Sequence, residues 1–132
     1  MSHTCALGFD FGTKKIGTAI GQSITQTASP LQLLNRNDGK IPWSQVEALI
    51  QQWQPGLLLV GLPLHADGTD NDWAKRCRRF ANQLHGRYHL PVELVDERHS
   101  SVQAAAILDK TGGKTALDNV AACLIVERWL NP

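Results

Sequence analysis

Three acidic residues stand at positions where carboxylates could meet and do chemistry. Asp10 ends the apolar run Cys5–Asp10, Glu97 comes just past the strand-like segment Val92–Val95, and Asp118 lies in the first turn of the last predicted helix. Active sites of open α/β sheets gather beyond the carboxyl ends of the strands. If the first and last strands run parallel, Asp10 and Glu97 meet at one edge. Asp118 could complete the group from a helix start packed nearby.

Three carboxylates at one point predict a bound metal. Ionised acids held together repel strongly, and bound divalent cations are the usual compensation. The ligands would be hard oxygen atoms, and no histidine or cysteine cluster accompanies them in the sequence. This donor set favours Mg²⁺ or Mn²⁺ over zinc.

Each acid, taken singly, also has a purely structural explanation. Asp10 could begin the turn that leads to Gly12, a common role for aspartate. Glu97 could pair with a neighbouring cation on the surface. Asp118 could be the third residue of a capping box that begins at Thr115 and so oppose the helix dipole. The case for a site therefore depends on their shared topological position.

The elements that must position these acids follow the order β-β-β-α-β-α-β-α-α. Strands that alternate with helices in the second half predict parallel pairing covered by helices. We therefore expect an α/β fold with a mixed five-stranded sheet, three antiparallel strands followed by parallel ones, and helices on both faces. The expected strands are Cys5–Asp10, Ile16–Ile20, Leu31–Leu34, Leu57–Gly61 and Val92–Val95.

Helical spacing of apolar residues predicts four helices. The first is expected to begin at a capping box formed by Ser44 and Glu47, and Pro55-Gly56 ends it. The second places Trp73, Cys77, Phe80 and Leu84 along one face. The last two are expected at Val102–Leu108 and Leu117–Trp129.

Length and composition exclude several classes. A chain of 132 residues predicts a single domain, 1–132, with one core. The longest apolar run, Leu57–Leu62, is far shorter than the ~20 residues of a membrane span, and the first five residues do not resemble a signal peptide. Three cysteines without a CxxC pair argue against a disulfide framework or a zinc site. We expect a reduced, cytoplasmic protein.

A formal net charge of +1 conceals one basic stretch. From 73 to 91 the chain carries no acid, and its cations are Lys75, Arg76, Arg78, Arg79 and Arg87. Such a stripe would attract a polyanion and make binding depend steeply on salt. Charge on an amphipathic helix is, however, more often only its solvated face.

Four segments of the chain resemble one family in the same order. Gly8–Gly17 (GFDFGTKKIG) looks like the opening motif of the YqgF/RuvX family, the Holliday-junction-resolvase-like branch of the RNase H superfold. Val60–Thr69 is similar to its second motif, Val95–Ser101 to its third and Leu117–Ala122 to its fourth. The match spans almost the whole chain, and four motifs together are far more specific than one.

The resemblance implies an RNase H-like fold and a metal-dependent phosphodiesterase site on Asp10, Glu97 and Asp118. It also implies trimming of the 5′ end of the 16S ribosomal RNA precursor. Two Mg²⁺ or Mn²⁺ ions roughly 3.5–4 Å apart suit such hydrolysis. We expect Asp10 to bridge them and each of the other two acids to hold one ion. Asp96 should point away, since neighbouring residues on a strand face opposite sides.

Several cations are candidates for nucleic-acid binding. Lys14 and Lys15 flank the turn after Asp10 and could contact a phosphate, or could belong to a solvated turn. Arg98 could hold the scissile phosphate or pair with its neighbour Glu97. Arg76 and Arg79 represent the basic helix face.

Three classes of function remain open at this stage. The first is a metal-dependent nuclease acting on structured RNA, with branched DNA as the alternative substrate and pre-ribosomal particles as a further partner. The second is an ATP-binding phosphotransferase, because Asp10-x-Gly12-Thr13 also resembles the first phosphate loop of the actin and sugar-kinase superfamily. Length argues against it, since those proteins use two such domains. The third is a non-catalytic nucleic-acid or ribosome-binding module. In each case we expect a monomer or weak dimer and no membrane partner.

Overall fold

The computed structural model describes residues 5–65, 67–97 and 117–131, and for 117–119 it describes the backbone. The strands are β1 (Cys5–Phe11), β2 (Lys15–Gln22), β3 (Thr27–Pro30), β4 (Leu34–Asn35), β5 (Leu57–Leu62) and β6 (Val92–Asp96). The helices are α1 (Trp43–Trp53), α2 (Ala74–Tyr88) and α3 (Leu117–Leu130), and a 3₁₀ turn spans Asn37–Gly39. The helix predicted at Val102–Leu108 lies outside the described residues.

The strands form one mixed sheet in the order β3-β2-β1-β5-β6, with β4 also pairing with β2. The β1, β2 and β3 strands are antiparallel neighbours, whereas β1, β5 and β6 are parallel. The predicted α/β class and mixed sheet are confirmed. The sheet has six strands rather than five, because β4 is a separate two-residue strand.

The third strand was predicted at the wrong residues. The apolar run Leu31–Leu34 is not a strand, and β3 is instead the preceding, mostly exposed segment Thr27–Pro30. Because β3 lies at the edge of the sheet and its backbone pairs with β2, it needs no buried side chains and leaves no hydrophobic pattern.

The predicted capping box at the start of α1 is also wrong. Pro42 occupies the cap position without any side-chain cap, and Trp43 begins the helix. Proline suits such a position because it has no N–H to leave unsatisfied. The helix ends at Gln54, which adopts a left-handed backbone with φ 46°.

Two hydrophobic layers cover the two faces of the sheet, and β5 contributes to both. Leu58, Val60 and Leu62 pack with α1 and α2, while Leu57 and Leu59 pack with α3. All six residues of β5 are buried. Continuous burial of this kind is typical of a central parallel strand.

Two glycines let α3 lie directly on the sheet. A Cβ on Gly8 of β1 would lie 2.7 Å from Cγ2 of Val126, and one on Gly21 of β2 would overlap Cγ1 of the same residue. Val126 therefore sits over two side-chain-free positions on neighbouring strands. This close approach fixes the helix against β1 and β2. Within the described residues no helix is long and apolar enough to cross a membrane.

Candidate active site

The carboxyl ends of three parallel strands form the candidate site. β5 lies between β1, which carries Asp10, and β6, which Glu97 follows. The backbone N–H of Glu97 donates to the carbonyl of Leu62 at 3.1 Å, so the β5–β6 pairing continues to Glu97. The sequence-based expectation that the first and last strands are parallel is confirmed, and it brings Asp10 and Glu97 to the same edge.

Glu97 lies over a glycine of the central strand. A Cβ on Gly61 would be 2.5 Å from Cδ and 2.8 Å from Oε1 of Glu97. It would also be 2.5 Å from Cδ1 of Ile125, which belongs to α3. The Glu97 carboxyl group is therefore held between the sheet and α3, in space that exists only because residue 61 has no side chain.

The two acids perturb each other electrostatically. Burial, and secondly the negative charge of Asp10, raises the pKa of Glu97 to about 8, with Asp96 adding a smaller effect in the same direction. Arg128 of α3 acts in the opposite direction. A carboxyl group that is buried beside a second carboxylate binds its proton tightly, because the charged form loses hydration and is repelled. This raised pKa marks the edge as a site that favours positive charge.

A buried cysteine senses the same two acids. Burial is the main cause that raises the pKa of the Cys77 thiol to about 12, and the charges of Glu97 and Asp10 add to it. Cys77 lies on the buried face of α2. Its neutral thiol thus packs near the acids without adding another charge.

Asp96 occupies a different place from Glu97. It is half-buried and lines a groove together with Glu93, Val95 and Arg128. Adjacent residues on β6 point to opposite sides of the strand. Glu97, rather than Asp96, is the acid that lies over Gly61.

Asp118 is described by its backbone, at the start of α3. Contacts along this helix indicate its direction. Trp129 and Val126 approach Gly21, which pairs with Ala6, whereas Val126 and the Ala122 carbonyl approach Gly8. The helix therefore runs antiparallel to β1. Among the described side chains, no three His, Cys, Asp or Glu residues form a group that could hold a metal.

An arginine holds the turn that follows Asp10. Arg36 donates to the carbonyl oxygens of Gly12 at 2.7 Å and Thr13 at 3.3 Å, and to that of Gly39 at 2.6 Å. Its guanidinium lies 4.5 Å from the centroid of the Phe11 ring. Arg36 thus ties the β1–β2 turn to the chain between β4 and α1.

The predicted phosphate-binding cations are spread over the surface. Lys14 and Lys15 are exposed on the turn after Asp10, and Arg76 and Arg79 are exposed on α2. Arg98 lies outside the described residues.

Sequence reasoning missed Gly61, Arg128 and Cys77 as parts of the site. A glycine within the run LLLVGL signals close approach of another group, and this signal was present in the sequence. Arg128 stands out as a cation near the end of a largely apolar helix. Cys77 gave no signal, because its helix phase predicts only that it is buried.

The fold is that of Holliday junction resolvases. The chain superposes on T. thermophilus RuvC in complex with a Holliday junction substrate with a TM-score of 0.60 and 13% identity, covering 95% of this chain and 91% of that one. A mixed sheet of this order, with acids at the ends of β1 and β6, defines an RNase H-like nuclease of the resolvase type.

Closer relatives narrow this class. The family model described as "RuvX: Holliday junction resolvase" matches residues 4–132, and the chain belongs to this family. A protein of Aeromonas salmonicida (strain A449) named "Putative pre-16S rRNA nuclease" is 48% identical over 135 residues, covering 98% of this chain and 96% of the relative. One of the same name from Glaesserella parasuis serovar 5 (strain SH0165) is 50% identical over 134 residues, covering 98% and 96%. The resemblance predicted from the four motifs is confirmed.

Proposed function

We propose that this nuclease uses divalent metal ions held by Asp10, Glu97 and Asp118 to process the 5′ end of precursor 16S rRNA. The observation that carries the proposal is the enforced proximity of Asp10 and Glu97 beside Gly61, which raises the pKa of Glu97 to about 8. The names of the relatives in Aeromonas and Glaesserella support the choice of RNA substrate.

The residues present fit a divalent cation. The donors are carboxylate oxygens, which Mg²⁺ and Mn²⁺ prefer. A cation between Asp10 and Glu97 would replace their repulsion with attraction and would release the proton that Glu97 otherwise retains. The neutral Cys77 thiol nearby does not compete, because its pKa of about 12 keeps it protonated.

The direction of α3 supports Asp118 as the third ligand. Its residues 118, 122, 125 and 126 lie along one stripe of the helix, and Ala122, Ile125 and Val126 approach the glycines of the sheet. One helical turn before Ala122 advances about 6 Å, which matches the two-residue step from Gly8 to Asp10 on β1. The backbone of Asp118 therefore lies toward the Asp10 end of β1.

Each acid has a distinct task in this proposal. Bound divalent ions would activate a water and stabilise the leaving oxygen of an in-line displacement. Asp10, on the strand between the other elements, bridges the ions, and Glu97 and Asp118 each hold one. Ile125 and the close packing of α3 exclude water from one side of Glu97, which keeps its carboxyl group oriented.

A second candidate is cleavage of four-way DNA junctions. The family description and the fold shared with T. thermophilus RuvC favour it. Both candidates use the same acids and differ only in the substrate.

The test is cleavage of three labelled substrates: a precursor rRNA fragment, duplex RNA and a four-way DNA junction, each with Mg²⁺, Mn²⁺ or chelator. We expect metal-dependent cleavage of the precursor that Asp10→Asn and Glu97→Gln abolish. Asp96→Asn is the matched control and should retain cleavage. Preferential cleavage of the junction would identify a DNA resolvase. Salt-sensitive binding without cleavage by any form would refute the proposal in favour of a binding module.

A further inference from the structure

A groove of about 660 Å³ lies between α2 and the chain that joins β4 to α1. Its charged lining consists entirely of cations, and we call it the basic groove: Arg36, Lys40, Lys75, Arg76 and Arg79, with Phe11 and Trp43 among its other lining residues. Two separate parts of the chain supply the cations, so the groove is more than the solvated face of one helix.

The cations of the basic groove are not neutralised by neighbouring acids. Among the described residues, no carboxylate forms an ion pair with Lys40, Lys75, Arg76 or Arg79. Burial lowers the pKa of Arg36, and the nearby charge of Arg76 lowers it further. Two guanidinium groups from different elements therefore face each other across the groove. Such an arrangement lowers the free energy of a bound anion.

Arg78 on the same helix shows the contrast. It is paired with Asp70 through two hydrogen bonds of 2.9 Å, and it lies outside the basic groove. The acid on this part of the surface thus neutralises a cation that the groove does not use.

The groove begins next to the candidate active site. Phe11 follows Asp10 directly and lines the groove, and Arg36 lies over its ring. Trp73 donates its indole N–H to the Phe11 carbonyl at 2.6 Å and stacks on the Phe11 ring. The end of β1 is therefore anchored at one side to the acids and at the other to the groove.

The aromatic residues of the groove have occupied faces. Trp43 carries Arg87 at 3.9 Å from its ring centroid and stacks with Phe80 at 5.9 Å. Phe11 is covered by Arg36 and stacks with Phe80 at 4.6 Å. Because these rings are engaged by the protein, they do not serve as platforms for bases. Contacts from the groove would be made with phosphates, which carry no sequence information.

We propose that the basic groove binds the phosphodiester backbone of the nucleic-acid substrate adjacent to the cleaved bond, independently of base sequence. This inference rests on the proposed function for its substrate. The strand leaves the acids at Asp10 and passes Phe11 into the groove, where Arg36, Arg76 and Arg79 contact its phosphates.

The experiment measures binding of fluorescein-labelled oligonucleotides by anisotropy, in chelator, at several salt concentrations. The probes are two 20-nucleotide RNAs of different sequence and a DNA of one of those sequences. The groove variant combines Arg76→Gln with Arg79→Gln, and the matched control is Arg78→Gln on the same helix. Thermal unfolding of each variant checks that these exposed substitutions leave the fold intact.

We expect the groove variant to bind all three probes at least about tenfold more weakly near 0.1 M salt, with the salt slope reduced by about two, one for each lost phosphate contact. The control should bind within about twofold of the unsubstituted protein. Equal weakening by Arg78→Gln, no weakening by the groove variant, or weakening limited to one RNA sequence would overturn the proposal.

Cleavage of a small activated phosphodiester, bis-p-nitrophenyl phosphate, separates this inference from the proposed function. The small diester cannot reach from the acids into the groove. The groove variant should therefore cleave it normally in Mn²⁺, whereas Asp10→Asn should not. Loss of its cleavage in the groove variant would overturn the inference, and absence of cleavage by the unsubstituted protein would count against the proposed function alone.

Discussion

Gly61 and Glu97 share one space: the Glu97 carboxyl carbon lies 2.5 Å from where a Cβ on Gly61 would stand. The glycine belongs to the central strand β5, and the acid follows the edge strand β6. The position of the acid thus depends on the absence of a side chain on another strand.

Replacing Gly61 with alanine is expected to abolish nuclease activity while leaving the protein folded. The new methyl group must displace Glu97 or Ile125, at a cost of about 1–3 kcal/mol in the free energy of unfolding. A shift of about 1 Å in a ligand can lower the rate by roughly 100-fold. Urea unfolding and cleavage assays measure the two effects.

Gly86→Ala provides the control for Gly61→Ala. Gly86 lies in α2, and nothing surrounds the position of its Cβ within 4 Å. Alanine there should stabilise the helix by about 0.5–1 kcal/mol and leave cleavage unchanged. Full activity of Gly61→Ala would contradict the role assigned to this glycine.

Glu97→Gln is expected to remove a pH dependence of stability. In the metal-free protein, burial and Asp10 raise the pKa of Glu97 from 4.5 to about 8. The folded state therefore binds a proton that the unfolded state has lost between these values, so stability falls as pH rises from about 4.5 to 8. The loss amounts to roughly 3 to 5 kcal/mol. Glutamine does not titrate and should show no such loss.

Urea unfolding in chelator from pH 5 to 9 measures this difference, since other titrating groups are common to both proteins. At pH 8 the inactive glutamine variant should be the more stable of the two. Mg²⁺ should then stabilise the unsubstituted protein more than the variant. Parallel pH profiles for both proteins would refute the electrostatic account of Glu97.

The contact of α3 with the sheet predicts coupling between Gly8 and Val126. Gly8→Ala alone places a methyl group 2.7 Å from Cγ2 of Val126 and should destabilise the fold by about 1–3 kcal/mol. Adding Val126→Ala removes the atoms that clash. A double-mutant cycle from urea unfolding should give a favourable interaction of about 1 kcal/mol or more. Additive effects would mean that α3 yields freely at this point.

The thiol groups should differ in reactivity. Burial raises the pKa of Cys77 to about 12 and that of Cys123 to about 11, and both side chains are buried, whereas Cys5 is half-buried. Because the thiolate is the reactive form, Cys77 and Cys123 should resist alkylation by iodoacetamide at pH 8 in the native protein. Peptide mapping by mass spectrometry should detect Cys5 first. Rapid labelling of Cys77 would mean that α2 opens readily.

The sequence predicted those parts of the site that depend on periodicity and strand direction. Asp10 and Glu97 could be paired in advance because buried runs reveal parallel strands, and parallel strands end at one edge. Arg36 and Gly61 were missed because their roles depend on which residues of distant segments lie beside them. The same reason explains β3, whose exposed residues carry no pattern.

The helix α3 follows all six strands along the chain, although it covers half of the sheet. During synthesis, the face formed by Ala6, Leu57 and Leu59 must therefore wait for the last-made helix before it is shielded from water. Because α3 also carries Asp118, the nascent chain cannot complete its acidic cluster before this late docking event. A growing polypeptide would thus stay harmless to the ribosomal RNA around it until its final helix has emerged.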